Sequence, residues 1–259
     1  MKNKRTARLF AFILSAILIA GLVPMTALAA ETGDVFIDSA SGLTCQVRSA
    51  DTVEIINSNI SGNFSIPPTV TDDEGAVYTV TSIGDGAFAN CTWLTGITIP
   101  GTVEYIYPRA FNWCTSLMTI TANGPHYFTY NGALYFVYET SASLTLYPMG
   151  SPAESFDVPN MITANGVQCV VNGIGAFSFL GAPHLTTVTI PESIAGIGSY
   201  AFYNCINLKD VFVLAHMPNV SPEAFEGCSP DLTIYCANDS ASDLFNQGVI
   251  DMDSPEYCA

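Results

Sequence analysis

Positively charged residues are scarce in this sequence. Only seven Lys and Arg occur among 259 residues, and four of them (Lys2, Lys4, Arg5 and Arg8) lie at the amino terminus. The rest of the chain carries three cationic side chains against 23 Asp and Glu, a net charge of −20. Such a surface repels nucleic-acid phosphates and anionic lipids, so we expect neither as a partner.

Long apolar runs are equally scarce, since only residues 9–23 form one. This run follows the basic amino terminus and precedes Ala27-Leu28-Ala29, the order found in a secretory signal peptide. We therefore expect cleavage near Ala29, loss of residues 1–29, and a secreted, extracellular or cell-surface protein without membrane insertion after cleavage. The alternative, an uncleaved membrane anchor, is disfavoured because the run is short for a membrane span.

Eight cysteines in an exported chain first suggest a disulfide framework. Four of them, however, form pairs that are 23 residues apart: Cys91 with Cys114, and Cys205 with Cys228. A recurring spacing indicates a recurring core position, so we expect these four to stay reduced. A bridge would come from the remaining cysteines, Cys45, Cys169, Cys236 and Cys258, with the pairing of Cys236 and Cys258 preferred.

The 23-residue spacing extends to the apolar residues. Five copies carry, in order, Ile-Gly or its equivalent, a small residue before Phe, Cys or Ala, Leu, and a strand that often ends in Ile-Pro; they begin at Ile83, Ile106, Ile174, Ile197 and Val220. The last copy slips by one residue before Leu232. Five copies at one period indicate a repeat architecture.

Each unit combines two periodicities. Ile97 and Ile99 follow the period of a strand that Pro100 ends, whereas Ala87, Phe88 and Cys91 follow the spacing of a helical turn. A unit of this size has no core of its own, so the copies must stack and pair their strands into a parallel sheet. We expect one buried column of phenylalanines: Phe88, Phe111, Phe179, Phe202 and Phe225.

The pattern I-G-x-x-A-F-x-x-C-x-x-L-x-x-I-x-I-P resembles the BspA-like class of bacterial leucine-rich repeats, and residues 81–122 and 172–235 carry it. The resemblance implies an α/β repeat solenoid: a right-handed leucine-rich repeat superhelix with a parallel β-sheet on one face and short helices or turns on the other. It also implies a place among secreted and cell-surface proteins that are often associated with adhesion.

The segments outside the pattern suggest a domain plan. We expect an N-terminal β cap at residues 30–80, repeats at 81–128, a hairpin with degenerate repeats at 129–173, further repeats at 174–235, and a C-terminal cap or tail at 236–259. Asn131-Gly132 between two apolar runs is a strong hairpin signal. Residues 144–148 and 156–159 resemble the repeat strand, so we expect the sheet to continue through the middle.

Residues that carry chemistry are few. His126, His184 and His216 lie far apart without the spacing of a metal site, and no glycine-rich phosphate loop follows a strand. The acidic clusters at residues 72–74 and 251–253 lack the alternating ligands and the glycine of a calcium loop, so a solvated acidic loop is the preferred interpretation. We expect no catalytic residue, cofactor or metal.

Two surfaces are candidates for binding. Trp93 and Trp113 differ by three positions within the repeat, so we expect them to be neighbours on one helical face, with Tyr105 and Tyr107 between them. Outward-facing strand positions carry a second candidate set: Thr98, Thr121 and Thr189. The alternatives are that the rings only pack on each other and that the threonines only keep an open sheet soluble.

These observations favour a secreted or cell-surface leucine-rich repeat protein that binds an extracellular protein or glycan, with adhesion or host, matrix or glycan interaction as its role and no catalysis. Two alternatives remain open: a wall-associated enzyme or accessory subunit with an unrecognised site, and a structural spacer. The ligand and the oligomeric state do not follow from the sequence.

Overall fold

A computed structural model describes residues 30–122, 124–214 and 219–236, and these residues form twenty short strands. The first nine are β1 (Val35–Ile37), β2 (Thr44–Val47), β3 (Thr52–Asn57), β4 (Gly62–Ser65), β5 (Thr69–Thr71), β6 (Val77–Ile83), β7 (Leu94–Ile99), β8 (Tyr105–Ile106) and β9 (Thr119–Ala122). The others are β10 (Tyr127–Tyr130), β11 (Ala133–Tyr138), β12 (Ser141–Leu146), β13 (Ser155–Asp157), β14 (Met161–Ala164), β15 (Val167–Ile174), β16 (Thr187–Ile190), β17 (Gly196–Ile197), β18 (Asp210–Val213), β19 (Asn219–Val220) and β20 (Thr233–Cys236).

Each repeat contributes one rung with two strand segments. In the longer segment Ile97 of β7 lies beside Ile120 of β9, and in the shorter one Ile83 of β6 lies beside Ile106 of β8. Both pairings are parallel and advance by 23 residues, so one period of the sequence is one step along the stack. The paired isoleucines are buried, which is why the repeat needs apolar residues at these positions.

The side opposite the long strands was expected to contain short helices or turns. The part of the chain that the structure describes has turns there and no helix, so the helical part of the expected α/β class is not confirmed. The backbone there forms consecutive three-residue turns, in which Cys91 N–H donates to the carbonyl of Phe88 and Leu94 N–H to that of Cys91. Other donors reach the next rung, as when Phe88 N–H donates to the carbonyl of Ala110 at 2.8 Å. Because the amide groups bond between rungs, they do not form the ladder of a helix.

Aromatic rings form the buried spine of the stack. Phe88 and Phe111 stack with ring centroids 5.1 Å apart, and Phe179, Phe202 and Phe225 follow one another at 4.7 and 4.9 Å. Phe225 is only partly buried, unlike the other four. The column has two parts, and the second begins with Tyr147, which the sequence pattern did not assign to it. The Tyr147 ring stacks on Phe179 with centroids 5.1 Å apart.

The prediction of a continuous sheet is wrong. The long strands form two sheets, β4-β7-β9 and β13-β16-β18-β20, and β9 is not paired with β13. The expected hairpin, β10–β11, lies at the break and separates two hydrophobic cores: Leu134 belongs to the first core and its neighbour Tyr135 to the second. Ala122 N–H at the end of β9 donates to Thr129 Oγ1 of this hairpin, which takes the place of a partner strand.

The two degenerate repeat segments, residues 144–148 and 156–159, belong to different strand segments of the rung. Phe156 of β13 pairs with Val188 of β16, so residues 156–159 do continue the long strands of the second sheet. Residues 144–148 do not, because Leu144 pairs with Ile174 and therefore belongs to the shorter strand segment. Before the first clear repeat, β3 and β4 already follow the rung pattern, since Ile55 pairs with Ile83 and Phe64 with Ile97.

The repeated cysteines carry free thiols, as predicted, and only Cys228 is partly exposed. Their sulfur atoms have a recurring role: Cys114 donates to the carbonyl of Phe88 at 3.1 Å, and Cys205 to that of Phe179 at 3.0 Å. Each thiol thus joins its rung to the one before. Cys45 and Cys169 are also free, whereas Cys258, and with it the expected pairing to Cys236, lies outside the described residues.

Candidate functional site

One turn position has a left-handed backbone in five rungs. Its occupants, with φ between 57° and 73°, are Asn90, Trp113, Gly181, Asn204 and Gly227. Asn and Gly tolerate this conformation, whereas a bulky side chain is a genuine outlier there and is destabilised by about 1–2 kcal/mol. Trp113 is therefore the strained member of the series.

The neighbours of Trp113 explain how the strained ring is held. A Cβ atom at Gly181 would lie 3.6 Å from the Trp113 ring and would collide with the terminal methyl group of Met149. Glycine at position 181 thus leaves space for both side chains. The Trp113 residue remains 39% exposed, so its ring is supported on one side and open to solvent on the other.

Three further aromatic residues lie near this turn side. Trp93 is 77% exposed, and Tyr105 (51%) and Tyr107 (37%) meet edge to face with ring centroids 4.8 Å apart. We call these three residues and Trp113 the turn-side aromatic surface; that the four side chains lie together stays a prediction. Among the described residues no ring contact joins Trp93 to Trp113, so their proximity stays a prediction.

Sequence reasoning missed a second aromatic group on the same side. Phe177 and Tyr200 stack at 5.3 Å, and both have a left-handed backbone with φ of 59° and 58°. Their shared repeat position, which Gly86 occupies in the first clear repeat with φ of 69°, was the available signal. A slot beside them, lined by Tyr107, Phe177 and Leu180 among others, has a volume of about 20 Å³, enough for about one water molecule. The turn side is therefore a surface for contact and contains no deep pocket at this point.

The three candidate threonines are divided between two sheets. Thr98 and Thr121 are exposed neighbours in the register of β7 and β9. Thr189 belongs to the second sheet, where it lies between Asp157 and Phe212. The same row continues with Tyr235, which stacks on Phe212 at 4.8 Å. The row of outward-facing threonines is thus interrupted at the break, and on the second sheet the same row continues into an aromatic pair.

The break between the sheets opens a cleft of about 300 Å³, which we call the sheet-break cleft. One wall is the β13 region with Ser155 and Asp157, and Met118 and the hairpin turn at Asn131-Gly132 line the other side. Its lining combines neutral polar groups, one carboxylate and apolar side chains.

The family follows from the repeat itself. Residues 50–147 and 154–244 match the BspA type leucine-rich repeat region, in six copies. The chain belongs to the BspA-type leucine-rich repeat family. The match begins at residue 50 and so includes β3 and β4, whose register already follows the rungs.

Several solved bacterial structures match this chain at low sequence identity. A leucine rich cell surface protein from Faecalibacterium prausnitzii is 17% identical, over 88% of this chain and 96% of that one, with a TM-score of 0.46. A leucine-rich repeat protein from Eubacterium ventriosum is 23% identical, over 69% and 49% of the two chains, with a TM-score of 0.49. The pneumococcal vaccine antigen PcpA is 14% identical, over 81% and 83%, with a TM-score of 0.35. No curated protein matches the sequence.

The described residues of this BspA-type chain contain few groups arranged for chemistry. Within them, no group of three His, Cys, Asp or Glu side chains could hold a metal ion, and no helix is long and apolar enough to cross a membrane. Burial raises the pKa of the Cys45 and Cys114 thiols from 9.0 to about 12, so neither is a thiolate at neutral pH.

His126 and the first acidic cluster make contacts within the fold. The His126 ring lies against Phe136 with centroids 6.4 Å apart, whereas His216 and residues 251–253 lie outside the described part of the chain. In the first acidic cluster, Asp72 is buried and accepts hydrogen bonds from the backbone N–H groups of Glu74 and Ala76 and from the Tyr78 hydroxyl. Its carboxylate stabilises the turn before β6.

Proposed function

We propose that this BspA-type protein is exported and binds an extracellular protein or glycan through its turn-side aromatic surface, without catalysis. The solenoid supplies a rigid support, because its rungs are joined by backbone hydrogen bonds, stacked rings and thiol contacts. Exposed Trp and Tyr side chains on a rigid support are typical anchors of protein and sugar recognition.

The observation that carries this proposal is the strain at Trp113. The four other rungs have Asn or Gly at the equivalent position, and either residue in place of Trp113 would relieve the backbone strain. Backbone strain of this kind clusters at ligand sites in proteins. A half-exposed tryptophan in that conformation is therefore better explained by contact with a partner than by the needs of the fold.

The test is a binding measurement with the mature protein on immobilised fibronectin, laminin, collagen, mannan and cell-wall glycan fragments. The variant is the double replacement of Trp93 by Ala and Trp113 by Asn, since Asn keeps the left-handed turn that the sibling rungs use. The matched control is Ile206→Ala, which removes an exposed apolar side chain from the same side of another rung.

The double variant should bind at least about tenfold more weakly, which corresponds to about 1.4 kcal/mol. The control should bind like the parent protein. A folded double variant with unchanged affinity for every partner would contradict the proposal, and so would a parent protein that binds none of the five.

Export is tested separately. Mass spectrometry of the protein from the culture fluid and envelope fraction should find an amino terminus near Ala30, consistent with removal of residues 1–29. Full-length protein confined to the cytoplasm would contradict this part of the proposal.

A further inference from the structure

Strand β13 is an edge strand whose outer side is open. On its inner side, Thr187 N–H donates to the carbonyl of Glu154 at 3.1 Å and Val158 N–H donates to that of Thr189 at 3.0 Å. Peptide groups alternate in direction along a strand, so those of Ser155 and Asp157 point to the outer side. Within the described part of the chain, no strand pairs with β13 on that side, and these two peptide groups have no hydrogen-bond partner.

The sheet-break cleft gives access to this edge. Its volume of about 300 Å³ is many times that of a single water site, and its far wall is formed by Met118 and the turn at Asn131-Gly132. The three residues of β13 present an edge of about 10 Å at 3.3 Å per residue. The space is thus suited to a short extended segment.

Side-chain directions along β13 determine what such a segment should contain. Ser155 and Asp157 are exposed, whereas Phe156 between them is buried. In an added strand, the residue next to Asp157 lies on the same exposed face, and its neighbours point inward on the side of Phe156. A basic side chain flanked by apolar ones fits this alternation.

The charge of the protein favours the same partner. Asp157 has no ion pair in the described structure, and two of the three cations of the mature chain are already paired, Arg48 with Glu54 and Arg109 with Asp85. With a net charge of −20, the mature protein attracts basic partners over distance.

We propose that the sheet-break cleft binds an extended segment of a basic partner protein by strand addition to β13, with a Lys or Arg of the partner beside Asp157. This site is separate from the turn-side aromatic surface. Backbone hydrogen bonds to Ser155 and Asp157 supply affinity, and the Asp157 carboxylate and the buried Phe156 select the alternating pattern.

The probe is the blocked peptide Thr-Val-Lys-Val-Thr, titrated into the mature protein and followed by calorimetry and by amide chemical shifts. A second peptide replaces Lys by Glu. Two more carry N-methyl groups, either on both Val residues or on the central Lys, which removes alternate N–H donors. The protein variants are Asp157→Asn and Ser155→Pro, because Pro is tolerated at an edge where the lost N–H faced outward. The matched control is Asp210→Asn in the interior strand β18, which lies in the same row as Ser155.

We expect the Lys peptide to bind and to shift the amide signals of Ser155 and Asp157, and the Glu peptide not to bind. One N-methylated peptide should lose binding while the other keeps it, since only alternate residues face β13. Asp157→Asn should raise Kd about two- to fivefold, an effect that added salt removes, Ser155→Pro should abolish binding, and Asp210→Asn should have no effect.

The proposal is overturned if the Lys peptide does not bind, if both N-methylated peptides bind like the parent peptide, or if Asp210→Asn weakens binding as much as Asp157→Asn. The Trp93→Ala and Trp113→Asn double variant should still bind the peptide. Loss of peptide binding in that variant would also contradict a separate site, whereas loss of glycan or matrix binding alone would leave it intact.

Discussion

The strain at Trp113 can be measured by comparing two truncations of the same side chain. Trp113→Gly and Trp113→Ala both remove the ring and its packing beside Gly181, so the loss of packing is nearly equal in the two variants. They differ in the backbone, because Ala retains a Cβ atom in a conformation with φ of 60° and Gly does not. The difference between them therefore isolates the conformational cost.

That cost is about 1–2 kcal/mol for an L-residue in the left-handed region. It is opposed by the greater entropy of Gly in the unfolded chain, about 0.4–1 kcal/mol. The net expectation is that Trp113→Gly is more stable than Trp113→Ala by about 0.5–1 kcal/mol, or roughly 1–4 °C in melting temperature for a domain of this size. Thermal unfolding followed by circular dichroism measures the difference.

The matched control is the same pair at Thr115, which is exposed in the same turn and does not have a positive φ. There the order should reverse, with Thr115→Ala more stable than Thr115→Gly. If Trp113→Ala melts at or above Trp113→Gly, the left-handed strain at this position is absent and the argument for a ligand-binding role of Trp113 fails with it.

Three other predictions concern the core. Phe202→Ala should lower the free energy of unfolding by about 3–5 kcal/mol in a denaturant titration, and Phe225→Ala by clearly less because Phe225 is partly exposed; equal losses would contradict the assigned burial. Thiol titration of the denatured, unreduced protein should find at least four free sulfhydryls, whereas a count of zero would refute the hydrogen-bonded thiol contacts. Burial raises the pKa of Cys114 from 9.0 to about 12 and that of Tyr127 from 10.0 to about 12, so the contribution of these two groups to stability should be complete at pH 8 and be lost as the pH rises from about 9 towards 12; a urea midpoint unchanged from pH 8 to 12 would contradict this.

The repeat columns were predictable from the sequence because burial recurs at the same position in each copy. Phe88 and Phe202 have the same kind of environment, so the 23-residue spacing alone was enough to identify them. The choice between short helices and turns was left open for a related reason: the spacing of Ala87, Phe88 and Cys91 describes one turn and does not reveal which carbonyl accepts from the next amide. In the structure Asn90 N–H donates to the carbonyl of Asn112 in the next rung, and periodicity within one rung does not contain that information.

Both candidate sites depend on departures from the repeat. One of them could be predicted from the sequence, and the other could not. Trp113 could have been identified as strained, because aligning the rungs places it with Asn90 and Gly227, residues that favour a left-handed backbone. The sheet-break cleft could not, since it exists only because the hairpin β10–β11 keeps β9 and β13 apart. A regular repeat pairs every inner strand on both sides and so leaves no free backbone edge inside the stack. The inserted hairpin interrupts that pairing, and it is this interruption, more than any single motif, that gives the surface a position where another chain can add a strand.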